Sequence, residues 1–390
     1  MGYFDRVLDR RHNSYKVSKM TNDKYYKDDK QTIAYTVADM DFPVMPEVKE
    51  AICEYMEENT FGYTFPTQQY YDTLSDYFIR HHDFEFKKED VLTFPGVLNI
   101  IEELIQTFTD ENDGVLIFTP VYTPFYRIIK NNNRKLIECP LSLEGTKYTI
   151  DFNKLESLAS QNNCKMILFC SPHNPVGRVW TKEELRKLSD IALNNDLLII
   201  SDEIHCDFSK EDHPHTMLAN ISKEVSDITM TCTSPSKTFN LAALNVANLI
   251  IKNPKLLGEV SNHIGKKAHN GANALGLVGC QAAYEKGDRW VKEINELLQF
   301  NEQQIIDGLK DYKNITVIPR EGTYLQWIDC RNIDVDDLQT KLKECGIYCA
   351  CGKDYGDQGD GFIRVNIACP SEYIEIFVNR MTKVLDSCST

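Results

Sequence analysis

The sequence predicts an α/β fold: a central, mainly parallel sheet covered by helices, followed by a smaller α+β domain. Three observations carry this expectation. Short apolar runs recur at Gly114–Thr119, Lys165–Cys170, Leu197–Ser201, Ile228–Cys232 and Val246–Ile251, without polar alternation. Strands buried on both faces read this way, whereas half-solvated strands alternate. Amphipathic stretches lie between several of these runs, and strand–helix–strand order brings parallel strands into one sheet. After Trp290 the pattern changes to a long helical run (VKEINELLQFNEQQIIDGLKDY), short strand-like pieces (TVIP, YLQWIDC, FIRVNIA) and a last helix.

Thr181–Asn195 (TKEELRKLSDIALNN) is the clearest helix. Thr181 and Glu184 have capping-box spacing, and Leu185, Leu188, Ile191 and Ala192 share one face. The change of pattern near residue 290 divides the chain into a large domain, 46–288, and a small one built from 1–45 and 289–390.

Composition bounds the function. The chain has 390 residues, 42% of them hydrophobic and 26% charged, with a formal net charge of -15. Such a surface repels phosphate backbones and anionic lipid, so neither nucleic acid nor membrane is expected as a partner. No run approaches the ~18 apolar residues of a membrane span. No basic start leads into an apolar stretch and a cleavage site, so the expected location is cytoplasmic. Thirteen cysteines, odd in number and irregularly spaced, suit reduced thiols better than disulfides. Cys345, Cys349 and Cys351 lack the paired steps of a zinc site, and no metal is expected.

Ligands of open α/β sheets bind beyond the carboxyl ends of the strands. After the first apolar run come Pro120 and Tyr122. The second leads into Ser171-Pro-His-Asn174-Pro-Val-Gly177-Arg178, the third into Asp202-Glu203-Ile-His205, and the fourth into Ser234-Pro-Ser236-Lys237-Thr238. Upstream, Gly96, Val97 and Leu98 open a helical run whose free N–H groups suit a phosphate. Singly these are turn and surface signals. Together they match what pyridoxal 5'-phosphate (PLP) needs: an amine for an imine, a carboxylate for the pyridine nitrogen, a donor for the ring oxygen, an aromatic cover and a phosphate cup.

The stretches SPHNPVGRVWTKEEL, SDEIHCDF, SPSKTFNLAAL and FIRVNIACP resemble the fold-type I PLP enzymes of the class I/II aminotransferase group. TVADMDFPVMPEV, with the histidine of DEIH, is similar to the MalY/PatB-type cystathionine β-lyases. The resemblance spans essentially the whole chain, in the family's order. It implies the PLP-dependent transferase fold, with a mainly parallel seven-stranded sheet in the large domain. It also implies Lys237 as the covalent anchor, Asp202 on the pyridine nitrogen, and Asn174 and His205 near the ring oxygen. Tyr122 would stack on the ring, and Gly96, Val97, Leu98, Ser234 and Ser236 would hold the phosphate. Tyr63 would reach the phosphate from a second subunit, which implies a homodimer with a shared site. Arg364 would grip the substrate α-carboxylate, with Asp39 and Asn174 nearby.

The implied reaction is α,β-elimination from a cysteine S-conjugate such as cystathionine, with Lys237 moving the α-proton. An ordinary aminotransferase would share the early chemistry, and a PLP-binding regulator acting through a protein partner is the third expectation. The preferred β-substituent is not written in these motifs.

Overall fold

The computed structural model describes residues 2–4, 6, 8–10, 14–26, 32–58, 60–161, 163–267 and 271–388. Its large sheet has seven strands: β1 (Val91–Phe94), β2 (Gly114–Thr119), β3 (Lys135–Pro140), β4 (Cys164–Cys170), β5 (Leu198–Asp202), β6 (Thr229–Thr233) and β7 (Ala247–Ile250). Their order across the sheet is β1-β7-β6-β5-β4-β2-β3. All are parallel except β7, which runs antiparallel to both of its neighbours. The apolar run of β7 does not reveal its direction, because it is buried on both faces like the others.

Side chains alternate between two cores, as the pleat requires. Leu116, Phe118, Ile167, Phe169 and Ile199 point into one core, which the helix Lys182–Asn194 closes with Leu185 and Leu188. Val115, Ile117, Met166, Leu168 and Ile200 point into the other, against Ile100, Ile101 and Leu104 of the helix Val97–Phe108. The Thr181–Glu184 capping box is present, with Glu184 N–H donating to Thr181 Oγ1 at 3.2 Å and Thr181 N–H donating to Glu184 Oε2 at 2.8 Å.

A second sheet of four antiparallel strands follows: β8 (Thr316–Val317), β9 (Leu325–Asp329), β10 (Ala350–Cys351) and β11 (Phe362–Asn366), in the order β8-β9-β11-β10. The long helix Asp288–Leu309 and the last helix Ser371–Ser387 pack on it, sharing a core that includes Ile294, Leu298, Phe377 and Met381. The N-terminal strip joins this sheet's surroundings, because Ile33–Ala34 pairs in parallel with Ile347–Tyr348. All thirteen cysteines are unpaired. Among the described residues no helix is long and apolar enough to cross a membrane.

Candidate active site

The carboxyl ends of β2, β4, β5 and β6 open into a cavity of about 940 Å³. Its lining brings together Asn174, Asp202, His205, Lys237, Tyr122 and Arg364, with Gly96, Val97, Leu98 and Ser236. Tyr122, Asn174, Asp202 and Lys237 converge because the parallel strands that lead into them all end on the same edge.

Lys237 sits in the one-turn helix Pro235–Thr238, set immediately after β6. Its Nζ donates to Ala38 O at 2.6 Å, and Tyr324 Oη donates to the same carbonyl at 2.8 Å. Burial lowers the amine to about 8, and the like charge of Arg364 pushes in the same direction. Asp202 ends β5 and accepts from Ile204 N–H at 3.2 Å. Burial raises its carboxyl to about 7, against the pull of that N–H and of Lys237. His205 is held well below the ordinary imidazole range, first by burial and then by Lys237 and Arg364. It is therefore a neutral ring at physiological pH, with one nitrogen able to donate and the other to accept.

Arg364 comes from β11 of the small sheet. Nη1 donates to Asn174 Oδ1 at 3.1 Å, Nη2 donates to Thr36 O at 2.5 Å, and the guanidinium lies 4.9 Å from the Tyr355 ring centre. The loop that carries Asn174 is fixed from behind. His173 Nε2 lies 2.8 Å from Pro120 O, and burial lowers this imidazole to about 4, so it donates as a neutral ring. Arg178 is a structural clamp, pairing with Glu321 at 2.7 Å and Glu184 at 2.9 Å.

Four buried side-chain atoms on the cavity lining have no hydrogen-bond partner among the described residues: His205 Nδ1, Arg364 Nε, Thr36 Oγ1 and Tyr348 Oη. Leaving a buried polar atom unmade costs about 1–3 kcal/mol.

Three expected site residues stand elsewhere. Asp39 is set behind the cavity, because Arg10 takes both of its oxygens at 3.1 and 2.9 Å. Ser234 lies one layer back, where its Oγ accepts from Ser236 N–H at 3.1 Å and stands 2.7 Å from Val246 O. Tyr63 is fully exposed and does not line the cavity of its own chain. Residues that motif reading passed over include Thr36, Ala38, Tyr348 and Tyr355. Thr36 and Ala38 lie in the TVADMDF stretch, but a backbone carbonyl has no sequence signal. Behind the site His82, Cys206 and Asp207 put ligand-type atoms within 4.8 Å of one another. These side chains serve hydrogen bonds: His82 Nε2 lies 2.7 Å from Asp207 Oδ1, and Thr238 Oγ1 donates to Asp207 Oδ2 at 2.5 Å.

Comparisons with known proteins agree with this geometry. The model of the family "Aminotransferase class I and II" matches residues 31–381. Cystathionine beta-lyase PatB of Bacillus subtilis (strain 168) is 32% identical over 90% of this chain and 91% of its own length. The crystal structure of cystalysin from Treponema denticola, which contains a pyridoxal 5'-phosphate cofactor, superposes with a TM-score of 0.95 at 36% identity. That match covers 99% of this chain and 100% of cystalysin. The PLP-bound C-S lyase from Staphylococcus hominis gives a TM-score of 0.89 at 32% identity, covering 98% of each chain. The strand-end placement of Asn174, Asp202 and Lys237, and a match over nearly the full length, lead to one conclusion: this chain belongs to the aminotransferase class I and II family.

Proposed function

We propose that the chain is a PLP-dependent carbon–sulfur lyase. It would eliminate the thiol from cysteine S-conjugates: cystathionine and one water would give homocysteine as the released thiol, with pyruvate and ammonia. The carrying observation is the meeting of the Lys237 amine, the Asp202 carboxyl and the Arg364 guanidinium in one cavity. PatB and the staphylococcal enzyme, both named as lyases, support the choice of a lyase.

The residues fit the cofactor. Asp202 is a buried acid short of a cation, and a ring N–H would let it ionise. His205 Nδ1 is an unmatched polar atom of the same cavity lining, and Asn174 would offer its amide to the ring oxygen. Tyr122 would cover the ring. The first turn of the helix Val97–Phe108, whose N–H groups have no partner within the helix, would take the phosphate with Ser236. When bound, PLP supplies an electron-poor ring that takes up the charge left at the substrate Cα.

The protein's own part is positioning and proton movement. Arg364 would hold the substrate α-carboxylate through its planar fork, with Nε still free to donate. The Lys237 amine, at about 8, would exchange the α-proton near neutral pH without a large energetic mismatch. We assign these roles to a large domain of residues 46–288, with 1–45 and 289–390 forming the small domain that brings Arg364. L-cystathionine offered without any keto acid tests the reading. Continuous release of pyruvate and free thiol is expected, whereas a transaminase would stop after one half-turnover.

We also infer a homodimer. Phe61, Tyr63 and Phe65 stand exposed in one short segment, an apolar surface that a second copy would cover. Tyr63 would then reach the partner's phosphate cup. Dilution should release cofactor and subunits together, and a monomer with full cofactor content would exclude it. A cytoplasmic location is proposed on the unpaired thiols, and fractionation of the source cells tests it.

A further inference from the structure

The cavity extends beyond the groups assigned so far. Its far wall is built by two helices, Tyr15–Thr21 and Leu338–Glu344, and by the Ile347–Tyr348 strand pair. On that wall Lys343 Nζ stands 2.7 Å from Asp23 Oδ2, with Gln339 and Tyr348 beside them in the lining. The wall is close to the carboxylate clamp. Ala350 lies opposite Arg364 in the small sheet, and Tyr348 is two residues away along nearly extended chain, roughly 7 Å.

We propose that Asp23, Lys343 and Tyr348 form a distal subsite that reads an amino-acid zwitterion at the far end of the β-substituent. This assignment rests on the lyase reading and names its substrate class: conjugates of the cystathionine and cystine kind, which carry a second ammonium and a second carboxylate. The donor and acceptor inventory is complementary to such an end. Lys343 has three N–H donors and gives one to Asp23, leaving others for a carboxylate. Asp23 accepts from Lys343 and from Tyr25 N–H at 3.0 Å, and retains lone pairs for an ammonium. Tyr348 Oη is buried, lacks a partner among the described residues, and lies near enough to Asp23 for that carboxylate to help raise the phenol to about 12, after burial.

The ion pair alone is a poor reason for these residues. Its side chains are 35% and 18% exposed, and pairs of that exposure contribute little to stability. A pair of opposite charges facing a cavity does present both signs to a dipolar ligand, and it holds them at a fixed spacing. A small β-substituent would never reach it.

The test compares kcat/KM for L-cystathionine, L-cystine and β-chloro-L-alanine in the holoenzyme and in Lys343→Met. Loss of one charge-assisted contact should lower the cystathionine to chloroalanine ratio about tenfold or more, with cystine following cystathionine. Tyr348→Phe, which deletes one unpartnered hydroxyl, should lower the same ratio about threefold and serves if Lys343→Met does not fold. An unchanged ratio in the folded variants would overturn the subsite, because a purely structural tie moves all three substrates together. A wild-type enzyme that eliminates from none of them would instead overturn the lyase reading.

Discussion

The strand-end rim and the far wall of the cavity handle charge in opposite ways. On the rim, Lys237, Asp202 and His205 are all buried, and burial is the largest influence on each. Amine and carboxyl are drawn to about 8 and about 7, where a proton passes between groups at small cost. On the far wall Asp23 stays below the usual carboxylate range, held there first by its hydrogen bond from Lys343. On the rim burial shifts the groups that move protons, whereas the Asp23–Lys343 pair keeps its charges partly in solvent. The same cavity contains both because the strand-end rim lines one side of it and the helices Tyr15–Thr21 and Leu338–Glu344 line another.

That contrast can be broken at three places. The largest effect is expected at the rim: Lys237→Ala should lower pyruvate release by roughly a thousandfold or more, as removal of a general base with its covalent anchor implies. Retention of near-wild-type turnover would sink the assignment. Next comes Arg364→Leu, which should lower kcat/KM roughly ten- to a hundredfold. It also removes a like charge that pushes Lys237 down. Covalent capture of the aldehyde needs the unprotonated amine, so the pH midpoint for capture by the apoprotein should lie near 8 in the wild type and move alkaline in the variant. The borohydride-trapped adduct, measured against pH, reads this directly, and an acid shift would contradict it.

The smallest effect concerns the strip that runs between the rim and the small sheet. Asn240, shortly after Lys237, accepts from Met40 N–H at 3.0 Å and donates to Met40 O at 3.2 Å and Phe42 O at 3.1 Å. From the small sheet, Asn366 donates to Val37 O at 2.7 Å and Asp39 O at 2.6 Å. The strip 36–42 is therefore stitched from both sides. Asn240→Ala should destabilise the fold by about 2 kcal/mol and lower the Tm by a few degrees. Part of the loss is backbone strain, since Asn240 has φ 57, and Asn240→Gly should recover that part alone. Equal melting of wild type and Asn240→Ala would show the stitching to be idle.

What the sequence reveals divides along the same line. Asn174, Asp202 and Lys237 can be placed near strand ends from the sequence because each stands within five residues after an apolar run. The edge strand Lys135–Pro140 escaped, since its alternating exposure breaks the continuous apolar signal, and Val91–Phe94 is too short to stand out. The far wall escaped for another reason. Asp23, Thr36, Lys343 and Tyr348 come from separate stretches that only tertiary packing unites. The partner of Asp39 is not legible either, because the Arg10 fork that takes both of its oxygens comes from 29 residues upstream.

One contact has a consequence for anyone who probes this protein by substitution. The acceptor for both Lys237 and Tyr324 is the main-chain oxygen of Ala38, which every amino acid carries. A saturation scan at that position would report on side-chain fit and leave the acceptor untouched. Weakening it requires replacing the amide itself, for instance by an ester linkage introduced through chemical ligation, so this shared acceptor is invisible to ordinary genetics.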